Sequence, residues 1–302
     1  MPAGSDRGPA GGARGPAPSF AVGRFRLDVV PDVEFRLDGG AMFGVVPKVL
    51  WDVVKPADEL NRIRMGTNCL LIRDGRSVVL VDTGIGDKLD GKSRALYALA
   101  EGGERLPERL RALGVAPEAV TDVISSHLHF DHCGWHTRRD GDCVVPTFPN
   151  ARHWIERGEL AHARAPNERD RVSYLPENWE PLLEAGLVEL FDGESAPAIV
   201  PGVVAVKAPG HTADLCIVTV DGGGGARAVF WADLVPHAAH VPLAWIMGFD
   251  AFPMATLASK KHWLPRAAAG GWLSIFEHDA DTPVGRIVEE RPGRFRAVPL
   301  DE

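Results

Sequence analysis

Four residues whose side chains can bind metal ions lie close together in the stretch "SSHLHFDHCGW": His127, His129, Asp131 and His132. In an extended segment, side chains two residues apart point to the same side, so His127 and His129 can face one metal ion. Asp131 and His132 follow as the chain turns, and they can reach a second ion beside the first. Imidazole suits zinc and its neighbours, and a carboxylate adds compensating charge. This spacing therefore predicts a metal centre.

Three further residues of the same kind each follow a segment that reads as a strand. His211 stands in "APGHT" after "VVAVK", Asp233 in "FWADL" after "RAVF", and His278 in "FEHD" after "WLSI". Loops at strand ends are where binding and catalytic residues gather. We therefore expect these three residues to supply the remaining metal ligands.

The elements that position these residues are predicted from hydrophobic periodicity and turn residues. "RFRLDVV" and "VEFRL" predict one hairpin, "NCLLI" and "SVVLVD" predict a second, and "TDVISS" predicts a short buried strand that runs into His127. "ERLPERLRALG" predicts a helix ending at Gly114, and "FDAFPMATLASKKHWLPRAAAG" predicts a long helix with Lys260 on a solvated face. Strands interleaved with helices indicate an α/β (α+β) fold of two sheets with helices outside.

The domain organisation predicted from composition is simple. Residues 1–19 form a tail rich in glycine, proline and alanine, which cannot bury enough apolar surface to order itself. Residues 20–302 form a single domain, because no linker interrupts them, and a helical insertion is expected around 151–194.

Composition and charge exclude several classes of protein. The 302 residues carry a formal net charge of −8, which argues against nucleic-acid binding. No apolar run approaches the ~20 residues of a membrane span, and the N-terminus has no apolar core of a secretory signal. The four cysteines show no CxxC spacing, so we expect free buried thiols in a cytoplasmic protein without membrane or nucleic-acid partners.

The ordered motifs "VLVDTG", "HLHFDH", "PGHT", "ADL" and "EHD" resemble those of the metallo-β-lactamase-fold hydrolases. The resemblance implies an αββα sandwich, of two mixed sheets with helices on both outer faces, and a two-metal site along one edge. It assigns His127, His129 and His211 to one metal ion, most simply zinc. It assigns Asp131, His132 and His278 to the other. Asp233 would bridge the two ions, with a hydroxide between them, and Asp131 could orient that hydroxide, so Asp131 and Asp233 are the predicted catalytic residues.

Within this family, the chain is most similar to acyl-homoserine lactonases and methyl-parathion-hydrolase-like proteins. The resemblance implies hydrolysis of a small, largely apolar ester, lactone or phosphotriester. One departure is that Asp233 is followed by "LVPHAAHV", without the tyrosine that the lactonases carry there. A glyoxalase-II-like thioesterase, and a binding or sensor module that keeps its metal ions without useful turnover, stay open as alternatives.

Substrate contacts are predicted from aromatic and glycine-rich segments near the metal-binding motifs. Trp135 and Trp245 would line an apolar pocket for a small molecule, and His237 and His240 could reach a leaving group. The glycines of "GGAMFGVVP" permit a projecting loop. The apolar pair at its tip, Met42 and Phe43, would form a flap over the substrate, or would pack on the core or on a second subunit of a homodimer.

Overall fold

The computed structural model describes residues 18–196 and 199–300, and its strands form two large sheets. The first sheet has seven strands: β1 (Ser19–Val22), β2 (Phe25–Pro31), β5 (Asn68–Arg73), β6 (Val78–Val81), β7 (Asp122–Ile124), β10 (Arg152–Glu156) and β11 (Val188–Phe191). They are hydrogen-bonded in the order β1-β2-β5-β6-β7-β10-β11. The strands from β6 to β11 run parallel to one another, and β1, β2 and β5 pair antiparallel.

The second sheet has six strands: β12 (Val203–Lys207), β13 (Cys216–Gly223), β14 (Ala226–Phe230), β15 (Leu273–Ile275), β16 (Val284–Arg291) and β17 (Arg294–Pro299). These strands are hydrogen-bonded in sequence order, and all pairs except β14–β15 are antiparallel. Two small two-stranded sheets lie outside the large ones. They pair β3 (Phe35–Asp38) with β4 (Arg62–Met65), and β8 (Thr137–Asp140) with β9 (Cys143–Pro146).

Among the described residues there are eight α-helices: α1 (Gly39–Phe43), α2 (Lys48–Trp51), α3 (Gly91–Leu96), α4 (Leu106–Ala112), α5 (Phe130–Cys133), α6 (Arg157–Arg164), α7 (Glu180–Glu184) and α8 (Pro253–Ala269). The predicted long helix is α8, and the predicted helix that ends before Gly114 is α4. None of the helices in the described part of the chain combines the length and the apolar character that crossing a membrane requires.

Side chains alternate along β5 between two apolar layers, one between the two sheets and one between the first sheet and its helices. Leu70 and Ile72 point into a cluster filled from both sheets, whereas Cys69 and Leu71 point the other way, toward α4. The second sheet is covered in turn by α8, which packs against β16. The αββα sandwich that the resemblance implies is therefore confirmed.

The topology brings strand ends to one edge. Because β6, β7 and β10 are parallel, the residues after Val81, Ile124 and Glu156 emerge on the same side of the first sheet. In the second sheet, β12, β14 and β15 also share one direction, since β12 and β14 both pair antiparallel with β13. The segments carrying His211 and Asp233 therefore leave the second sheet together, along with the segment carrying His278.

Two predicted elements differ from the structure, and one strand was not predicted. The first predicted hairpin is wrong, because β2 pairs with β1 across Gly23 while β3 pairs with the distant β4. The segment around 151–194 begins and ends in strands of the first sheet, β10 and β11, so its helices form a crossover within the sheet. Strand β16 was not predicted, because its arginines and glutamates obscure the alternation. The predicted tail lies outside the described residues except for Pro18 and Ser19, where β1 begins.

Candidate metal centre

The motif between Ser125 and Trp135 follows β7 directly and changes conformation midway. His129 lies on extended backbone, and helix α5, which follows it, carries Asp131 and His132. All four side chains are buried or nearly so. One short segment therefore contributes to two groups of metal-binding atoms.

The first group consists of His127, His129 and His211, whose ligand atoms lie within 4.8 Å of one another. Nδ1 of His129 lies 3.0 Å from Nε2 of His211. Nε2 of His127 is buried and has no hydrogen-bond partner among the described residues. Three imidazoles converging in this way can hold a divalent ion.

The second group consists of Asp131, His132 and His278, again within 4.8 Å. Nε2 of His132 lies 3.1 Å from Nε2 of His278. The two oxygens of Asp131 lie 3.9 Å from Nε2 of His132 and 3.8 Å from Nε2 of His278. The structure therefore brings together the three residues that were predicted as the second ligand set.

Asp233 stands between the two groups. Its Oδ2 is 3.1 Å from Nε2 of His211, and its Oδ1 is 3.1 Å from Nε2 of His278, so one carboxylate oxygen faces each group. The residue before it, Ala232, has a φ of 44°, a left-handed conformation that is costly for a side chain other than glycine. That turn directs the Asp233 carboxylate into the gap between the groups.

A second layer of buried residues orients the histidines. Oδ2 of Asp82 lies 3.0 Å from Nδ1 of His132, and the Asp82 carboxylate also accepts hydrogen bonds from the backbone N–H and the hydroxyl of Ser126. Glu277 lies 2.9 Å from the same Nδ1, but its oxygens lack an aligned hydrogen bond, so Asp82 is the acceptor. Such partners fix the tautomer and the ring orientation of metal-binding histidines.

His211 and His278 are held in the same manner by other groups. Nδ1 of His211 lies 3.1 Å from Oδ1 of Asp250, whose other oxygen accepts a hydrogen bond from the hydroxyl of Thr256. Nδ1 of His278 donates to the carbonyl of Gly66 at 2.8 Å. In each case the nitrogen that faces outward is engaged, which leaves Nε2 for the centre. None of Asp82, Asp250 and Glu277 was predicted as a site residue, although Asp82 directly follows strand β6.

The titration behaviour reflects the crowding of these groups. Burial, reinforced by the neighbouring imidazoles, holds the pKa of His127 and His129 well below the usual value. Burial also opposes ionisation of Asp233, but His211, His278 and His132 outweigh it and hold the pKa of this carboxyl well below its usual range. For His278, the Asp233 carboxylate outweighs burial and raises the pKa to about 9. The Asp233 carboxylate is therefore ionised, which is the form that can bind a cation.

The donor set fits a pair of divalent metal ions. Five imidazoles and two carboxylates converge on two overlapping groups, and Nε2 of His127 is buried there without a hydrogen-bond partner among the described residues. A buried polar atom without a partner is costly, so its position among other ligand-type side chains indicates a ligand. Imidazole and carboxylate together suit zinc or a similar ion.

A cavity of about 410 Å³ opens beside the centre and reaches Asp131, Asp233 and three of the histidines. Its remaining wall is largely apolar, with one cationic side chain, Arg169, near the mouth. The apolar and aromatic lining residues are Leu37, Ala41, Met42, Met65, Tyr97, Phe130, Val172, Met247, Phe249 and Ala251. Tyr97 and Met65 were not predicted as wall residues, because they come from segments distant in sequence from the metal-binding motifs.

Of the two alternatives predicted for Met42 and Phe43, the structure has packing on the core and not a projecting flap. Residues 39–43 form helix α1, and Met42 and Phe43 are buried in a cluster with Trp51 and Met247. The ring of Phe43 stacks between Trp51 and His240, at centroid distances of 5.2 and 4.6 Å. Met42 lines the cavity wall, whereas Phe43 does not. Helix α1 ends at Gly44, where a side chain would not fit, because φ is 55° and the Ile246 carbonyl lies close to the backbone.

Like Phe43 and unlike Met42, the other four predicted substrate contacts lie away from the cavity wall. Trp135 is buried under the first sheet and donates its indole N–H to Asp32. His237 and His240 are both buried, and Nε2 of His240 pairs with the Met42 carbonyl at 2.9 Å. Trp245 packs edge-on against Phe43. These four residues support the walls of the site and do not line the cavity.

Cys133, inside the metal-binding motif, is a structural residue. Its sulfur is fully buried and contacts the carbonyls of Leu128 and His129 at 3.4 and 3.2 Å. Burial raises the pKa of the thiol to about 12, so Cys133 is protonated at neutral pH and is a poor nucleophile.

Comparison with curated proteins gives relatives that are named as hydrolases. An N-acyl homoserine lactonase from Bacillus cereus is 29% identical over 161 residues, which cover 50% of this chain and 57% of that protein. A probable metallo-hydrolase from Mycobacterium bovis is 29% identical over 210 residues, 61% of this chain and 63% of that protein. The matches thus span less than two thirds of the length of either relative.

Solved structures share the fold over nearly the whole chain. A probable metal-dependent hydrolase from Staphylococcus aureus has a TM-score of 0.84 and 26% identity, covering 94% of this chain and 99% of that one. A dizinc quorum-quenching lactonase has a TM-score of 0.74 and 21% identity, covering 95% and 98%. A family model described as the Metallo-beta-lactamase superfamily matches residues 62–269. Because that range is more than half of the 302 residues, the chain belongs to the metallo-beta-lactamase superfamily.

Proposed function

We propose that this protein is a hydrolase that uses two divalent metal ions, zinc or a similar ion, to cleave a small, largely apolar ester or lactone. The observation that carries the proposal is the position of Asp233, with one carboxylate oxygen 3.1 Å from a histidine of each group. A carboxylate placed in this way can be shared between two ions, and a site for one ion would not need it.

The residues that would hold the ions are the two groups described above. His127, His129 and His211 form the first group, Asp131, His132 and His278 form the second, and Asp233 is shared. Bound ions would lower the pKa of a water molecule so that it ionises near neutral pH, and they would act as Lewis acids toward the substrate oxygen.

The chain's own side chains complete the reaction site. Asp131 lies in the cavity wall beside Asp233, where its carboxylate can orient the attacking water and accept its proton. Tyr97 lines the same cavity, and its phenol can donate a hydrogen bond to a substrate oxygen. The apolar wall excludes water, which strengthens these polar interactions.

The size and lining of the cavity favour the substrate class. About 410 Å³ accommodates a small molecule, and the wall offers apolar contacts on most sides. The curated relatives named N-acyl homoserine lactonase support a lactone or ester carbonyl as the reacting group. A phosphotriester of similar size would fit the same walls. A glutathione thioester is less suitable, because Arg169 is the single cationic side chain lining this cavity in the described part of the chain.

A substrate panel tests the proposal. Zinc-loaded protein is assayed against acyl-homoserine lactones, aryl esters, phosphotriesters, thioesters and β-lactams, with Asp233→Ala as the inactive control. We expect the highest kcat/KM for an apolar lactone or ester, and loss of both metal content and hydrolysis in Asp233→Ala. Fewer than two ions per wild-type chain, or full hydrolysis by Asp233→Ala, would contradict the two-metal proposal. Metal binding without hydrolysis of any member would identify a binding or sensor module.

A further inference from the structure

Glu159 is a buried carboxylate outside both groups of metal-binding residues. It lies near the start of α6, which follows β10, the neighbour of β7 in the first sheet. Only 2% of Glu159 is exposed, and among the described residues no lysine or arginine forms an ion pair with it. A carboxylate buried in this way is costly unless its oxygens are hydrogen-bonded.

The hydrogen bonds of Glu159 join the two loops that carry the first group. Oε1 accepts from the backbone N–H of Leu128, which lies between His127 and His129, at 3.0 Å. Oε2 accepts from the hydroxyl of Thr212, the residue after His211, at 2.7 Å. One carboxylate therefore spans the gap between the two loops that supply this group.

The same carboxylate also reaches the ring that supports His129. Oε1 accepts a further hydrogen bond from the Tyr174 hydroxyl at 3.0 Å. Tyr174 forms a β-bridge with His129, and the two rings meet edge-on at 4.7 Å. Glu159 thus fixes His129 from its backbone and from its ring neighbour.

Helix α6 does not need the Glu159 side chain for its own start. The N-terminus is capped by Glu156, whose Oε2 accepts from the backbone N–H of Glu159 at 3.0 Å. Gly158 lets the start of the helix lie close to Asp214, because a side chain at this position would overlap the Asp214 carboxylate. The Glu159 carboxylate therefore takes no part in capping the helix, and its hydrogen bonds go to the two loops.

The second group depends on other supports. His132 is held by Asp82, and His278 by the Gly66 carbonyl, with no contact to Glu159. A change at Glu159 should therefore act on the first group before the second.

We infer that Glu159 is a positioning residue that sets the geometry of His129 and His211, and with it the affinity of the first group for its metal ion. The inference rests on the proposed two-metal function. Partners of this kind change metal affinity by about 10- to 100-fold when they are removed.

Metal titration of apo protein tests the inference without using activity. Glu159→Met keeps the side-chain volume and removes the acceptors, and zinc affinities are measured by competition with a chromophoric chelator. We expect one of the two ions to bind about 10- to 100-fold more weakly, and to be the ion that is lost in His211→Ala and kept in His278→Ala. Glu159→Gln, which can still accept from Leu128 and Tyr174, should recover most of the affinity.

Glu156→Met is the matched control, because it removes a buried carboxylate that caps the same helix and pairs with Lys207, but that forms no hydrogen bond with Leu128, Thr212 or Tyr174 among the described residues. It should lower stability and leave both zinc affinities unchanged. If Glu159→Met does not fold, Thr212→Val breaks one of the contacts and should weaken the same ion to a smaller extent.

The inference is overturned by wild-type affinities in Glu159→Met or Thr212→Val, by equal weakening of both ions, or by the same loss in Glu156→Met. Wild-type protein that binds fewer than two ions would instead defeat the proposed function.

Discussion

Tyr97 lies in the cavity wall, and its packing involves the ring but not the hydroxyl. Its ring stacks on Phe130 at 5.0 Å, and no hydrogen bond to its hydroxyl is formed by the residues that the structure describes. Burial, and then the nearby Asp131 carboxylate, raise the pKa of Tyr97, so the hydroxyl stays protonated at neutral pH. A fixed, protonated phenol beside the centre can donate to negative charge that develops on a substrate oxygen.

Tyr97→Phe should therefore lower kcat for the best substrate by about 10- to 100-fold, the usual effect of removing one such donor. KM, zinc content and Tm should stay close to wild type, because the phenyl ring keeps its stacking on Phe130. Steady-state kinetics of the zinc-loaded protein provide the measurement. Tyr97→Leu, which also loses the ring, should raise KM in addition. A wild-type kcat in Tyr97→Phe would show that the hydroxyl takes no part.

At the scale of elements, α8 secures the loop that leads to the cavity wall. Lys260 was predicted to lie on a solvated helix face, which is wrong. Its side chain is fully buried, and its Nζ donates to the carbonyls of His240, Pro242 and Trp245 at 2.6, 2.8 and 2.9 Å. Two residues after Trp245 the chain reaches Met247 in the cavity wall.

Lys260→Met should destabilise the protein by about 2–4 kcal/mol, because several buried carbonyls lose their donor at once. The midpoint of urea unfolding reports this loss. Lys261→Met is the matched control: Lys261 is the adjacent exposed residue, and its change should stay within about 0.5 kcal/mol. Equal midpoints for the two variants would mean that the Lys260 contacts contribute nothing to stability.

The sequence predicted the elements whose signals are local. Apolar runs that end in His127, His211 and His278 mark strands β7, β12 and β15, and the structure has these strands. Lys260 and Phe43 could not be placed in this way, since the groups that bury them come from distant segments. A lysine in "KKHW" looks like a surface residue until four loop carbonyls surround it, and "GGAMF" looks like a loop until Trp51 and His240 cover it.

At the scale of the whole molecule, the candidate centre is built from segments that follow strands of both sheets. Because the unfolded chain does not bring these segments together, we expect metal binding and folding to be linked. The first sheet carries His127, His129 and His132, and the second carries His211, Asp233 and His278. An ion held between them binds the folded chain far more tightly than the unfolded one. Ligands of that kind stabilise by about 4 kcal/mol when their free concentration is a thousand times Kd.

Removing the metal should therefore lower Tm by roughly 5–10 °C, because a few kcal/mol corresponds to a shift of that size in a protein of this length. Calorimetry before and after EDTA treatment, followed by addition of zinc, provides the measurement, and zinc should restore the original Tm. Asp233→Ala should respond less to either step, since the shared carboxylate between the two sheets is missing. An unchanged Tm after verified metal removal would show that each sheet holds its part of the centre without help from the ions.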